Sequence, residues 1–304
     1  EDFDRALQLD ATYAAAYSNR AIARREQGDL QRAFADFERA LQLNPNYPSA
    51  YSNRAVAWLS AGNLARALAD CNEAIRLNPT YANAYSNRGT VKYRQGDLDG
   101  AIADLGRAIE LEPNSFTFWM SRGKLKREQG DVAGAIRDLD RAIQLNPEFA
   151  EAYNSRGVAY RVKRNLALAI EDFDRAIQIN PNFLVALMNR ARARADSRDL
   201  DGAIADFDRV VQLDPSFVDA LRRRADVRLQ QRDVVGAMAD YQRVVELQPG
   251  DWETRVSLAS ALNQLGRRAE AIDALQAAHR LCDQANSRRE IASILRQLGV
   301  EPGR

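Results

Sequence analysis

PSAYSNRAVAWLSAGNLARALADCNEAIRLNP, residues Pro48 to Pro79, decides how the chain folds. Tyr51, Ala55 and Trp58 recur at helical spacing, and Gly62-Asn63 then interrupts. Ala67, Cys71 and Ala74 form a second helical stripe, which Asn78-Pro79 stops. Apolar residues three and four apart share one helix face, so the stretch reads as two amphipathic helices joined by a tight turn. Gly62 suits the left-handed residue that ends the first helix, and Asn63 suits the cap of the second. Tyr47 is placed for a hydrophobic staple ahead of the first helix, and Tyr13, Tyr81, Phe149, Phe183 and Phe217 share its slot.

The stretch returns along the chain. Pro45, Pro79, Pro113, Pro147, Pro181, Pro215 and Pro249 follow one another at a spacing of 34 residues. A fixed period of this length marks a repeat array. AYSNRA begins at Ala16 and Ala50, AYSNRG at Ala84, AYNSRG at Ala152 and ALMNRA at Ala186. Ala33, Ala67, Ala101, Ala135, Ala169, Ala203, Ala237 and Ala271 keep one small residue where two helices would cross closely. Eight units starting near residues 14, 48, 82, 116, 150, 184, 218 and 252 occupy residues 14–285. Residues 1–10 contain EDFDRALQL, a match to EDFDRAIQI at Glu171–Ile179, and read as the second helix of a truncated leading repeat. Residues 286–304 place Ile291, Ile294, Leu295 and Leu298 on one stripe, with Arg288, Arg289 and Arg296 left for water. That is the pattern of a terminal capping helix with a tail.

This pattern resembles the tetratricopeptide repeat (TPR) family, in its bacterial-type form with an Asn-Arg-Gly/Ala signature in the first helix. Tyr51, Arg54-Ala55, Trp58, Ala67, Cys71, Ala74 and Pro79 fill the family's signature places. The resemblance implies an all-α fold: an α-solenoid of antiparallel helix pairs, wound into a right-handed superhelix with the first helices on its concave face.

Where the family usually has leucine, Arg54 stands here, with Arg20, Arg88, Arg122, Arg156, Arg190 and Arg224 in the same slot. A buried arginine demands a partner. Asp36, Asp70, Asp104, Asp138, Asp172, Asp206 and Asp240 follow these arginines by sixteen residues. In the eighth unit the two slots hold Leu258 and Ala274, so the pair is lost together. A charge-assisted hydrogen bond inside each of seven repeats is expected. Asp2 belongs to the acid slot and its arginine would precede residue 1; together with the absence of an initial Met this points to an upstream segment.

The charge is balanced, with 43 basic and 42 acidic side chains and a net +1, which gives no ground for a nucleic acid partner. No apolar run approaches the roughly 18 residues of a membrane helix, so membrane insertion is not expected either. No signal peptide is visible. Cys71, Cys282 and His279 are too few for a zinc site or a disulfide framework. Few cysteines favour a reducing compartment such as the cytoplasm, though the periplasm also fits. No catalytic residue, metal or cofactor is expected, and no glycine-rich phosphate loop precedes a helix. Cys71 shares the core slot of Phe37 and Phe173, and Tyr17, Tyr51, Tyr85, Trp119 and Tyr153 read as core aromatics.

The resemblance puts a ligand on the first helices. One slot holds Asn19, Asn53, Asn87 and Asn189, interrupted by Ser121 and Ser155. A side-chain amide both donates and accepts, so such a ladder can grip a peptide backbone without choosing a sequence; alternatively the amides bond to neighbouring helices. Ile22, Val56 and Leu59 give the early units apolar contacts, while Tyr93, Arg94, Lys124 and Arg127 make the later ones polar. Glu128, Glu151, Asp196, Asp219 and Asp226 oppose the later cations, so a solvated mixed face competes with an acid-selective one. The expected function is a non-enzymatic scaffold binding an extended segment of another protein in the concave groove. The alternative is the adaptor arm of a larger enzyme or secretion assembly whose active part is not in this chain. End-to-end self-association is also expected, because Phe3 and Leu7 lack a covering helix.

Overall fold

The computed structural model describes residues 2–301. Those residues form eighteen helices and no strand, and the chain divides into two units between Ser155 and Arg156. The first unit holds α1 (Asp2–Leu9), α2 (Ala14–Glu26), α3 (Leu30–Leu43), α4 (Pro48–Ser60), α5 (Leu64–Leu77), α6 (Ala82–Arg94), α7 (Leu98–Leu111), α8 (Phe116–Gln129) and α9 (Val132–Leu145). The division falls inside α10 (Ala150–Val162). The second unit continues with α11 (Leu166–Ile179), α12 (Leu184–Asp196), α13 (Leu200–Leu213), α14 (Val218–Gln230), α15 (Val234–Leu247), α16 (Trp252–Gln264), α17 (Arg268–Leu281) and α18 (Ala285–Gln297).

Local chemistry sets each helix boundary. Gly62 has φ of 75°, and the Asn63 side chain accepts from the Arg66 N–H to cap α5. Asp29, Asp97, Asp131, Asn165, Asp199 and Asp233 cap α3, α7, α9, α11, α13 and α15 in the same way, while α17 has Arg267 at its N-cap and no side-chain cap. Arg164, Arg198 and Arg232 take glycine's place in three turns and are held left-handed, at φ of 61°, 70° and 64°. The staple expected at Tyr47 is corrected: Tyr47 is itself the N-cap residue of α4, without a side-chain cap. Asn44 Oδ1 accepts from the Asn46 N–H at 3.2 Å, and the Tyr47 carbonyl then accepts from Ala50 at 3.1 Å. This Asx turn brings the chain in one residue later than a staple needs.

Packing follows the small residues. All eight alanines of the second-helix slot are completely buried. In the first unit Ala55, Leu59, Ala67, Cys71 and Val91 form one cluster, with Ala21, Ala33, Phe37 and Ala57 in another. Cys71 thus lies in the core, where burial raises its thiol to about 12. In the second unit Leu258 and Ala274 are buried among apolar neighbours, as the missing ion pair requires. Ile291 and Leu295 of α18 are buried, but Ile294 stays exposed. The open N-terminal face is smaller than expected: Phe3 is exposed, yet Leu7 is buried against its neighbours. Arg20 holds α1 onto α2 by donating to Asp4 at 2.7 Å.

Candidate functional site

The arginine slot is a structural network. In all seven repeats Nε and Nη2 of the arginine donate to the two oxygens of one aspartate, at 2.5–2.9 Å. The aspartates are nearly all buried, whereas the arginines keep 12–21% of their side chains open to water. The arginines are therefore half-snorkelled rather than buried. Two further partners escaped the sequence reading. Arg24, Lys92, Lys126, Arg194 and Arg228 place a second cation on the same aspartate at 2.6–2.9 Å. Arg20, Arg190 and Arg224 also reach back to Asp4, Asp174 and Asp208 of the preceding second helix, at 2.6–2.7 Å. One guanidinium so joins three helices. The aromatic slot lies beneath it, with Arg54 5.5 Å from the Tyr51 ring centre and Arg122 4.9 Å from that of Trp119.

The amide slot is differentiated. In the first unit α2, α4 and α6 stand side by side. Asn19 is exposed and Asn53 half-buried, and neither side-chain amide has a hydrogen-bond partner among the described residues. Asn87 is instead turned onto its neighbour, donating to Ser52 Oγ at 2.9 Å. Asn189, in the second unit, is buried. The apolar group also separates. Val56 stays half-buried, and Ile22 packs on the core. Leu59 is corrected from groove contact to core residue, because Val91 and Ala67 enclose it.

The polar group pairs with itself. Tyr93 donates to Glu128 at 2.9 Å, and Arg94 is exposed. Lys124 is half-buried, and desolvation holds its ammonium below its ordinary range, with Glu151 opposing and Arg127 adding to the shift. In the second unit Arg192 and Arg223 both donate to Asp219. Burial works against that carboxylate, but the two guanidiniums prevail and keep its pKa low. Arg222 donates to Asp251 at 2.6 Å. His279 is half-buried on α17, and burial, with Arg288 nearby, lowers its pKa. Among the described residues no cluster could hold a metal ion, and no helix is long and apolar enough to cross a membrane.

The repeat that this packing serves matches models described as tetratricopeptide repeat at residues 1–48, 18–82, 121–182, 188–252 and 239–286, and a second such model at 82–115. The chain belongs to the tetratricopeptide repeat family. Solved structures share the TPR fold. A chain of the APC/C hetero-tetramer Cut9-Hcn1 aligns with a TM-score of 0.66 at 16% identity, over 86% of this chain and 51% of that one. Pseudomonas aeruginosa pilF aligns with a TM-score of 0.61 at 20% identity, over 70% and 97%. A TPR protein from Parabacteroides merdae aligns with a TM-score of 0.59 at 21% identity, over 81% and 98%. A search of curated proteins found no match. A TPR array of this kind is a protein-interaction scaffold.

Proposed function

We propose that this TPR scaffold acts without catalysis and binds an extended segment of a partner protein along the first helices of the first unit. The observation that carries the reading is the pair of unsatisfied amides, Asn19 and Asn53, on adjacent helices α2 and α4. An amide facing water with both donor and acceptor free can exchange that water for the N–H and C=O of an extended backbone. Val56, half-buried beside Asn53, offers an apolar contact for an alternate side chain. Asn87 joins once its bond to Ser52 opens, at the expense of one neutral hydrogen bond, about 1 kcal/mol.

The test changes Asn19, Asn53 and Asn87 together to Ala. Helicity is read by circular dichroism, and captured partners are compared with those of the unaltered chain. Peptides tiled across a captured partner, with single backbone N-methyl groups, then locate the contacts. Loss of capture with helicity kept, and peptides weakened by N-methylation, is the expected result. Capture that is unaffected by the three substitutions would place the partner elsewhere.

A further inference from the structure

We propose that a cleft in the second unit seats an acidic side chain of the partner's extended segment, an inference that rests on the scaffold reading above. The cleft measures about 210 Å³ and is lined by Arg161 of α10, Arg192 and Asp196 of α12, and Arg223 and Asp226 of α14. At about 30 Å³ per water this exceeds what one carboxylate and its stem require.

The chain supplies its own standard for a satisfied arginine. In the seven intra-repeat pairs Nε and Nη2 together face one carboxylate. At the cleft that edge lacks its acceptor: Nε of Arg161 and Nε of Arg192 are shut off from water and have no hydrogen-bond partner. Arg161 touches Asp196 only through Nη1, at 3.5 Å. Arg192 gives Nη2 alone to Asp219, a carboxylate whose two oxygens Arg223 Nε already meets at 3.0 Å. Asp226 is engaged by the Tyr241 hydroxyl at 2.6 Å. Donor capacity therefore exceeds committed acceptors, although the formal charges nearly balance.

A buried N–H without an acceptor is a standing penalty, and a carboxylate seated in the cleft removes it when the guanidinium turns its Nε edge outward to complete the bidentate pair. Asp196 and Asp226 at the rim select among anions. They tolerate one negative charge drawn in by two guanidiniums, and they repel a dianion such as phosphate. The occupant is thus a glutamate or aspartate side chain rather than a phosphate group.

The experiment uses the full chain with ¹⁵N-labelled arginine and follows the Nε–H resonances by NMR. The probe is N-acetyl-glutamate N-methylamide, against the glutamine analogue and inorganic phosphate at matched ionic strength. Saturable shifts of Arg161 and Arg192 with a midpoint of about 10 mM are expected, with the glutamine analogue about tenfold weaker. Arg161→Gln and, separately, Arg192→Gln should each weaken binding about tenfold at unchanged helicity, and Asp196→Asn should tighten it. No saturation by roughly 100 mM, an equal response to the glutamine analogue, or tighter binding of phosphate would overturn the proposal. Such a failure leaves the amide reading of the first unit standing, because Asn19 and Asn53 take no part in the titration. Failure of that reading shows instead as unchanged capture by the triple Asn variant while this titration still saturates.

Discussion

Arg54→Leu should be more damaging than the same change at an arginine whose aspartate keeps a second cation. The Asp70 side chain is only 8% exposed, and Arg54 is its single cation among the described residues, at 2.8 and 2.7 Å. Trp58 stands where the sister repeats place Lys92 or Lys126, stacked on Phe34 at 3.8 Å between ring centres. Leucine at 54 leaves a buried carboxylate without a counterion, which costs about 3–5 kcal/mol. The same change one repeat later, Arg88→Leu, leaves Asp104 with Lys92 Nζ at 2.8 Å. Its cost falls to about 1–2 kcal/mol, the scale of the charge-assisted bonds lost. Arg54→Leu combined with Asp70→Ala imitates Leu258 and Ala274 of the eighth repeat, and most of the loss should return. The coupling in that cycle should be about 2 kcal/mol or more. A repeat array does not unfold as one unit, so native-state hydrogen exchange of the α4–α5 and α6–α7 amides is the appropriate measurement. Equal costs in the two repeats would refute the role given to Lys92. An additive double variant would refute the pair itself.

Gly106→Asp should stabilise α7 by about 0.5–1 kcal/mol: it removes a helical glycine, and a Cβ there lies 3.7 Å from Arg122 Nη1, copying Asp174 and Asp208. A lower melting temperature, or a gain that survives high salt undiminished, would contradict it. Arg164, Arg198 and Arg232, all changed to Gly, should together raise the melting temperature, since a left-handed arginine costs roughly 1 kcal/mol and glycine's greater unfolded freedom offsets only part of that. A clear fall would mean the arginine side chains hold the turns. Cys71 should be inert to thiol reagents in the native chain. Because burial lifts it from 9.0 to about 12, the unfolded chain loses that proton first. Its stabilising contribution is whole below pH 9 and declines as pH rises toward 12, so a Cys71→Ala variant should show a shallower alkaline loss in thermal melts.

The residues that were legible share one property: their environment is settled within one repeat. Gly62 and Asn63 set the turn inside their own helix pair and Ala67 is buried on its second helix; that pair recurs every 34 residues, so periodicity alone exposes their roles. The Arg54–Asp70 type of pair was legible for the same reason, since both slots vanish together at Leu258 and Ala274. The reach of Arg190 back to Asp174 crosses a repeat boundary, and its acceptor slot varies through Glu38, Asn72 and Gly106, so no constant spacing betrays it. The second cation was hidden differently: Trp58 and Tyr160 occupy its slot in two repeats, so the slot reads as aromatic as readily as basic. The candidate site was least legible because one residue type serves two masters there. Asn19 and Asn87 hold equivalent positions, yet one faces water while the other bonds to Ser52. That choice depends on the rotamer and the helix alongside, not on the letter. The cleft at Arg161 and Arg192 extends the point. Both arginines belong to a face whose charges cancel in a count, and only the geometry separates an Nε that has its carboxylate from one that lacks it. A groove's preference is therefore written in unmatched donors, which a composition cannot display.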